Sequence, residues 1–256
     1  MRSIHWIKLK RWGRRVALNM CVPLAALAAA AQDTPPQSSL PDMGKMPAVP
    51  SAARAQVQPQ FVIVLDAAHG GSDIGARISD KLPEKDLSLG FSIRLRQALA
   101  AHGIQVVTTR DADTTVSMLT RAETANHAFA AACLTLHATA TGSGVHLFTS
   151  SLGPAPYSKF LPWQTAQSAY ITQSLRLSSE INSALGHASV PVTLGRTSLQ
   201  PMDSFACPAV AVEIAPLAGG NTTKAAPLTD TDYQNKILDA ITAALTQWKN
   251  DWRQQP

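Results

Sequence analysis

The chain of 256 residues has no aspartate or glutamate before Asp33, only three cysteines, 5% aromatic residues and no internal repeat. Its longest N-terminal apolar run, Val16 to Ala31, is broken by Asn19 and Pro23 and falls short of the ~20 residues that a membrane span needs. No stable span is therefore expected in the mature chain. The formal charge of +5 and the pI near 9.3 point to a basic protein, but the excess is local. Six of the 22 Lys and Arg (Arg2, Lys8, Lys10, Arg11, Arg14 and Arg15) precede residue 16, which leaves 16 basic against 17 acidic groups from residue 32 onward. A folded part that is nearly neutral excludes nucleic acid as an implied partner.

A basic segment, an apolar run and Ala29-Ala30-Ala31 before Gln32 make residues 1–31 a candidate signal peptide. Export to a periplasm or a cell wall follows. A retained membrane anchor is the alternative, and Arg14-Arg15 leaves the choice between general and twin-arginine export open. Cys21 lies inside the apolar run and would leave with it. The two remaining cysteines, Cys133 and Cys207, each sit in an apolar stretch, as a pair of buried thiols or as a disulfide permitted by an oxidising compartment.

Residues 32–58 are rich in Pro, Ala, Ser and Gln, with no aromatic and few β-branched residues, a composition that reads as a flexible linker. Residues 59–253 suit one α/β domain with a mostly parallel or mixed central sheet flanked by helices. Strands are expected at Phe61 to Asp66, Ile104 to Thr109, Ala132 to His137, Val145 to Thr149, Thr197 to Pro201 and Ala209 to Ile214. Leu87, Phe91, Leu95 and Leu99 recur at i+4 spacing on a helix ending near His102-Gly103, so the first two strands and this helix form a βαβ unit. Further helices are expected from a Ser117 cap to about Ala131, from Gln164 to Leu185 with Gly186 at its end, and from about Asp230 to Trp252. Residues 150 to 163 read as an irregular loop that, with the helix after it, would be placed to cover a cleft.

Three residues at the ends of these elements carry the chemistry. His69 in Asp66-Ala67-Ala68-His69-Gly70-Gly71 and His137 in Leu136-His137-Ala138 follow strands, and Glu84 opens a helix. In open α/β sheets ligands gather at the carboxyl ends of strands. Two imidazoles and one carboxylate form the three-ligand set of a catalytic zinc site, with a fourth position for water. One zinc ion per chain is the implied cofactor, although such a set accepts other divalent ions. Glu213, the one carboxylate in the apolar strand Ala209 to Ile214, needs a partner such as a metal, its water or a buried arginine, Arg110 or Arg121. Asp66 either orients a ligand imidazole or accepts backbone hydrogen bonds. Arg121 and Asn126 read as structural, and His102, His127 and His187 as solvated. His146 reads as a surface strand residue, with a substrate contact as the alternative.

The order Asp66-Ala-Ala-His69-Gly-Gly, Glu84-Lys-Asp-Leu87, Val107-Thr-Thr-Arg110-Asp111, Val116-Ser117 with Arg121, Leu136-His137-Ala138 and Pro208-Ala-Val-Ala-Val-Glu213 resembles the zinc-dependent N-acetylmuramoyl-L-alanine amidases of the bacterial cell wall. The resemblance implies that His69, Glu84 and His137 are zinc ligands and that Glu213 is the catalytic carboxylate. The implied substrate is peptidoglycan, cut between N-acetylmuramic acid and the first L-alanine of the stem peptide, with a protein activator as a further partner. Three departures bear on the groove rather than on the metal: Ala67-Ala68 stand where the family commonly has Pro-Gly, Ile214-Ala215-Pro216-Leu217-Ala218 where it commonly has Gly-Phe-Leu-Ser-Asn after the catalytic glutamate, and Thr139 where it often has Asn. The alternatives are a zinc carboxypeptidase, for which Arg196 is the candidate to hold a terminal carboxylate, and a catalytically weak wall-binding homologue.

Overall fold

The computed structural model describes residues 60–155, 161–219 and 224–253. The signal peptide, the linker, Cys21 and part of the 150–163 loop lie outside the described residues. Strand β1 (Val62–Ala67) is buried along its whole length, as a run of apolar residues in the middle of a sheet should be. A two-stranded ribbon of β2 (Arg77–Ser79) and β3 (Leu82–Pro83), not expected from the sequence, then leads straight into α1 (Glu84–Ala101). The chain continues through β4 (Gln105–Thr108), α2 (Met118–His127), β5 (Ala132–Ala138) and β6 (Val145–Ser150). It closes with α3 (Ile171–His187), β7 (Val192–Thr197), β8 (Ala209–Ile214) and α4 (Thr231–Arg253).

Six strands form one sheet in the order β4-β1-β5-β8-β6-β7. The first four run parallel, β6 runs antiparallel to β8, and β7 runs parallel to β6. The start of β6 therefore lies at the same rim as the ends of β1, β5 and β8. One face of the sheet carries Ile63, Leu65, Leu134, Leu136, Val210 and Val212, which pack with Leu95 and Leu99 of α1, Leu177 and Ile181 of α3, and Ile241 and Leu245 of α4. The other carries Val64, Cys133, Ala209 and Ala211 against Ala122 and Ala125 of α2 and against Met202 and Phe205. The small side chains on this second face let the covering chain approach closely.

Four expectations change in the structure. The helix foreseen from Gln164 is split into a 3₁₀ turn at Trp163–Ala169 and α3, with Gly186 inside the last turn of α3. The buried Gln167 amide donates to the carbonyls of Phe205 and Cys207 and accepts from Ser174, so this segment is pinned across the sheet instead of continuing the helix. α3 packs against the sheet and α4, not over a cleft. The edge strand β7 ends at Thr197, where a strand was expected to begin, because residues 198–201 turn toward the 3₁₀ segment Met202–Ser204. α2 stops at His127, followed by Phe129 at φ 47°, a conformation that ends a right-handed helix.

Cys133 of β5 and Cys207, just before β8, form a disulfide with Cα atoms 6.2 Å apart. Of the two states left open by the sequence, the structure has the bridged one. It closes a loop across a sequence separation of 74 residues, and chain-entropy reasoning assigns such a loop about 4 kcal/mol. Replacing both cysteines with alanine is expected to lower Tm by about 10 °C in a calorimetric scan, since about 1 kcal/mol moves a domain of this size by 2–4 °C. Reductant should do the same to the native protein and nothing further to the variant.

Candidate metal centre

His69 stands two residues beyond β1 with φ at 62°, an unusual conformation for any residue but glycine. Two buried guanidinium groups hold it there. Arg110 donates to the carbonyls of Ala67 (2.9 Å) and Ala68 (2.9 Å), and Arg121 donates to those of Ala67 (2.7 Å) and His69 (2.6 Å). Three successive carbonyls at and just past the end of β1 are thus collected by two cations. Burial lowers the Arg110 pKa from its usual value, the main cause, with the charge of Arg121 adding to it. Arg121 is balanced by Asp66, whose Oδ1 lies 2.7 Å away and also accepts from Thr109. Asp66 therefore anchors the arginine that shapes the loop, in place of accepting backbone hydrogen bonds, one of the two roles left open by the sequence.

The loop after His69 returns to α1 through hydrogen bonds from Glu84 N to the Ala76 carbonyl and from Lys85 N to that of Ile74. Gly75, at φ 64°, lets it pass: a Cβ there would sit 2.5 Å from His69 Cδ2 and 2.6 Å from Glu84 Oε2. Glu84 is 5% exposed, and both of its oxygens are engaged. Oε1 meets His137 Nδ1 at 2.9 Å and accepts from Ala138 N, while Oε2 meets His69 Nε2 at 3.1 Å and accepts from Ala76 N. Burial pushes the Glu84 pKa up, but the hydrogen bonds from His137, His69 and Ala76 outweigh it, and the group stays well below the usual carboxylate range. The Glu84 carboxylate in turn raises the His69 pKa above 6.5, with burial opposing and Asp73 adding to the rise. Asp73 meets His69 Nδ1 at 2.8 Å, which holds the ring with Nε2 toward Glu84.

One ligand atom from each of His69, Glu84 and His137 lies within 4.8 Å of the others. Ligands of a single zinc at ~2.0–2.2 Å stand about 3.4 Å apart, so shifts on the order of 1 Å close the set on an ion. The donors, two imidazole nitrogens and a carboxylate, match zinc, and Gly75 leaves no side chain in the way. Glu213 is the β8 register partner of His137, one strand spacing away at the same rim. Its Oε1 lies 2.7 Å from Nδ1 of His146, which β6 places opposite Glu213 in antiparallel register. Neither Arg110 nor Arg121 is the partner of Glu213.

The four residues singled out for chemistry are thus brought together, with two neighbours, His146 and Asp73, to which the sequence assigns no such place. His146, a surface strand residue or a substrate contact by its sequence, is instead the partner of Glu213, because the direction of β6 is not visible in a local pattern. Asp73 was passed over, although the i+4 spacing from His69 in a glycine-rich loop is a usable signal. Arg196, proposed for a terminal carboxylate, instead donates to the carbonyls of Ser150 and Leu152, down the edge strand from the rim. Asn126 is structural as expected, bonding Ala206 N and the Ser204 carbonyl.

The family model for N-acetylmuramoyl-L-alanine amidase matches residues 63–247, which covers both imidazoles, both carboxylates and the whole sheet but for the first residue of β1. The chain belongs to this enzyme family. The germination-specific N-acetylmuramoyl-L-alanine amidase of Bacillus subtilis (strain 168) is 45% identical to it over 53 residues, 21% of this chain and 22% of that one. The matched stretch thus spans under a quarter of that curated relative. The crystal structure of the N-acetylmuramyl-L-alanine amidase Ami1 from Mycobacterium smegmatis is similar with a TM-score of 0.59 at 19% identity, over 75% of this chain and 97% of that chain. The CwlD amidase from Clostridioides difficile, solved in complex with the GerS lipoprotein, is similar with a TM-score of 0.54 at 20% identity, over 75% and 100%. At these identities the likeness establishes the fold, an α/β domain with a mostly parallel central sheet flanked by helices.

The amidase-family site has a predictable pH signature. The raised His69 pKa contributes stability that is fully present below about 6.5 and is lost as pH rises through its folded value. The depressed Glu84 pKa contributes stability present above 4.5 and lost only in strong acid. Metal-free protein should therefore lose Tm as pH rises above about 6.5. Zinc requires deprotonated ligands, so its stabilisation should grow over the same window. Thermal scans with zinc and with chelator should show a gap that widens with pH; a constant gap would contradict the assignment of His69.

Proposed function

We propose that the protein hydrolyses the amide between N-acetylmuramic acid and the L-alanine of the peptidoglycan stem peptide, with His69, Glu84 and His137 holding one zinc ion and Glu213 moving the proton. The observation that carries this reading is the convergence of the three donors beside Glu213 in adjacent-strand register, within a chain of the amidase family. Zinc bound there would supply Lewis acidity to the amide carbonyl and to a water. Glu84 stays ionised, so its oxygens can exchange the two imidazoles for a cation without a change of charge. Glu213 takes a proton from the attacking water and returns it to the leaving amine nitrogen. His146 holds Oε1 of Glu213 and thereby fixes the orientation of the carboxylate.

The N-terminal segment is consistent with export to a periplasm or cell wall on a cleavable signal peptide of residues 1–31, with residues 32–58 as the linker to the catalytic domain. Among the described residues no helix is long and apolar enough to cross a membrane. The amidase–lipoprotein complex among the structural neighbours supports a protein partner for this chain, which we read as an activator.

Purified peptidoglycan incubated with the protein should release stem peptides beginning at L-alanine, read by mass spectrometry. Chelator should abolish release, and Glu213→Ala should reduce it by about 10²–10⁴-fold while zinc content is kept. Muropeptides and free stem peptides offered side by side separate an amidase from a carboxypeptidase: cleavage of free peptides would overturn the proposal. His146→Ala is expected to cost about 10–100-fold in kcat/KM, the usual range for a group that orients a reacting residue.

A further inference from the structure

Five side-chain atoms among the described residues are buried without a hydrogen-bond partner, and three of them lie together: Asp66 Oδ2, Thr135 Oγ1 and His137 Nε2. Asp66 and Thr135 are register partners on β1 and β5, so their backbones are about 4.8 Å apart. Thr135 and His137 are two residues apart on one face of β5, with about 6.6 Å between their backbones. Thr135 is thus the one residue within side-chain reach of both others. Each of the three atoms exposes less than 1 Å², so bulk water does not satisfy them. An unpartnered buried polar atom is destabilising, which makes three neighbouring ones a feature that demands a reason.

Their donor and acceptor capacities fit one another. Oδ2 of an ionised aspartate only accepts, a threonine hydroxyl both accepts and donates once, and an imidazole nitrogen does either according to tautomer. With Nδ1 of His137 donating to the Glu84 carboxylate 2.9 Å away, Nε2 of the same ring is left as an acceptor. Two acceptors then compete for the one hydroxyl proton of Thr135. When Nδ1 is given to a metal, Nε2 becomes the N–H donor, and the count closes with all three atoms paired.

We infer that metal binding at His137 completes a buried hydrogen-bond chain in which His137 Nε2–H donates to Thr135 Oγ1 and the Thr135 hydroxyl donates to Asp66 Oδ2. The inference rests on the reading of His137 as a metal ligand. The chain continues through groups already joined, since Asp66 Oδ1 accepts from Arg121, and Arg121 donates to the His69 carbonyl. Thr135 and Asp66 are then positioning residues that link the two imidazole ligands through the protein. Metal-ligating histidines generally engage their second nitrogen in this way, and the partner fixes tautomer and ring orientation. A cavity of about 170 Å³ bordered by Asp66, Thr135, His137 and Met118 gives the side chains room to settle.

Zinc affinity, measured by competition with a chromophoric chelator, tests the chain without reference to activity. Thr135→Val keeps the shape and removes the hydroxyl; it should weaken zinc binding by about 10–100-fold while the metal-free Tm stays level or rises. Thr135→Ser should restore affinity to within about threefold of native. Zinc bound as tightly by Thr135→Val as by the native protein would overturn the chain. Should Thr135→Val fail to fold, ¹⁵N shifts of His137 in the zinc-loaded native protein decide: a protonated Nε2 that exchanges slowly supports the chain, and an unprotonated Nε2 overturns it. Native protein that binds no zinc, or a His137→Ala variant that binds it equally well, would instead sink the metal reading on which the chain depends.

Discussion

The buried carboxylate of Glu84 is the interaction around which the site is organised. It stands at the first residue of α1, nearly inaccessible, and an ion there is tolerated only if both oxygens are compensated. Compensation comes from four directions: His137 and the Ala138 amide at the end of β5, His69 beyond β1, and the Ala76 amide on the returning loop. The start of one helix is thereby tied to the ends of two strands that are far apart in sequence. Replacing Glu84 with a neutral residue would remove the reason for both imidazoles to face inward.

The second requirement is that His69 be presented on a loop past the end of β1, where successive carbonyls need partners. Arg110 and Arg121 meet it by taking the carbonyls of Ala67, Ala68 and His69, and Asp66 balances the charge of Arg121 within the core. These residues lie in the motifs that mark the family, and the structure supplies their physical role. They are scaffold for the metal site, and none of them contacts Glu213. On the far side, antiparallel β6 brings His146 to Glu213, so the site spans four strands, with metal donors on one half of the rim and the proton-carrying pair on the other.

Much of this was legible in the sequence. Continuous apolar runs marked β1, β5 and β8, the i+4 leucines marked α1, and the four chemical residues fell at element ends where an α/β sheet exposes its rim. What was not legible depends on long-range pairing. The direction of β6 decides whether His146 points at Glu213 or at solvent, and nothing within Val145 to Ser150 encodes it. The break between the 3₁₀ turn and α3 depends on Gln167 reaching carbonyls some 40 residues away. The disulfide needed a Cα separation that only the fold provides. The β2–β3 ribbon is too short and too exposed to leave a periodic signal.

The central claim is that His69, Glu84 and His137 converge on one metal ion with Glu213 beside it and not bound to it. Anomalous diffraction at the zinc edge from crystals of the zinc-loaded protein tests it most directly. The account predicts one peak per chain, at about 2.0–2.2 Å from a nitrogen of each histidine and from a Glu84 oxygen, with Glu213 outside bonding distance. A peak coordinated by Glu213 or Asp73 in place of Glu84, or no peak at this rim, would contradict it.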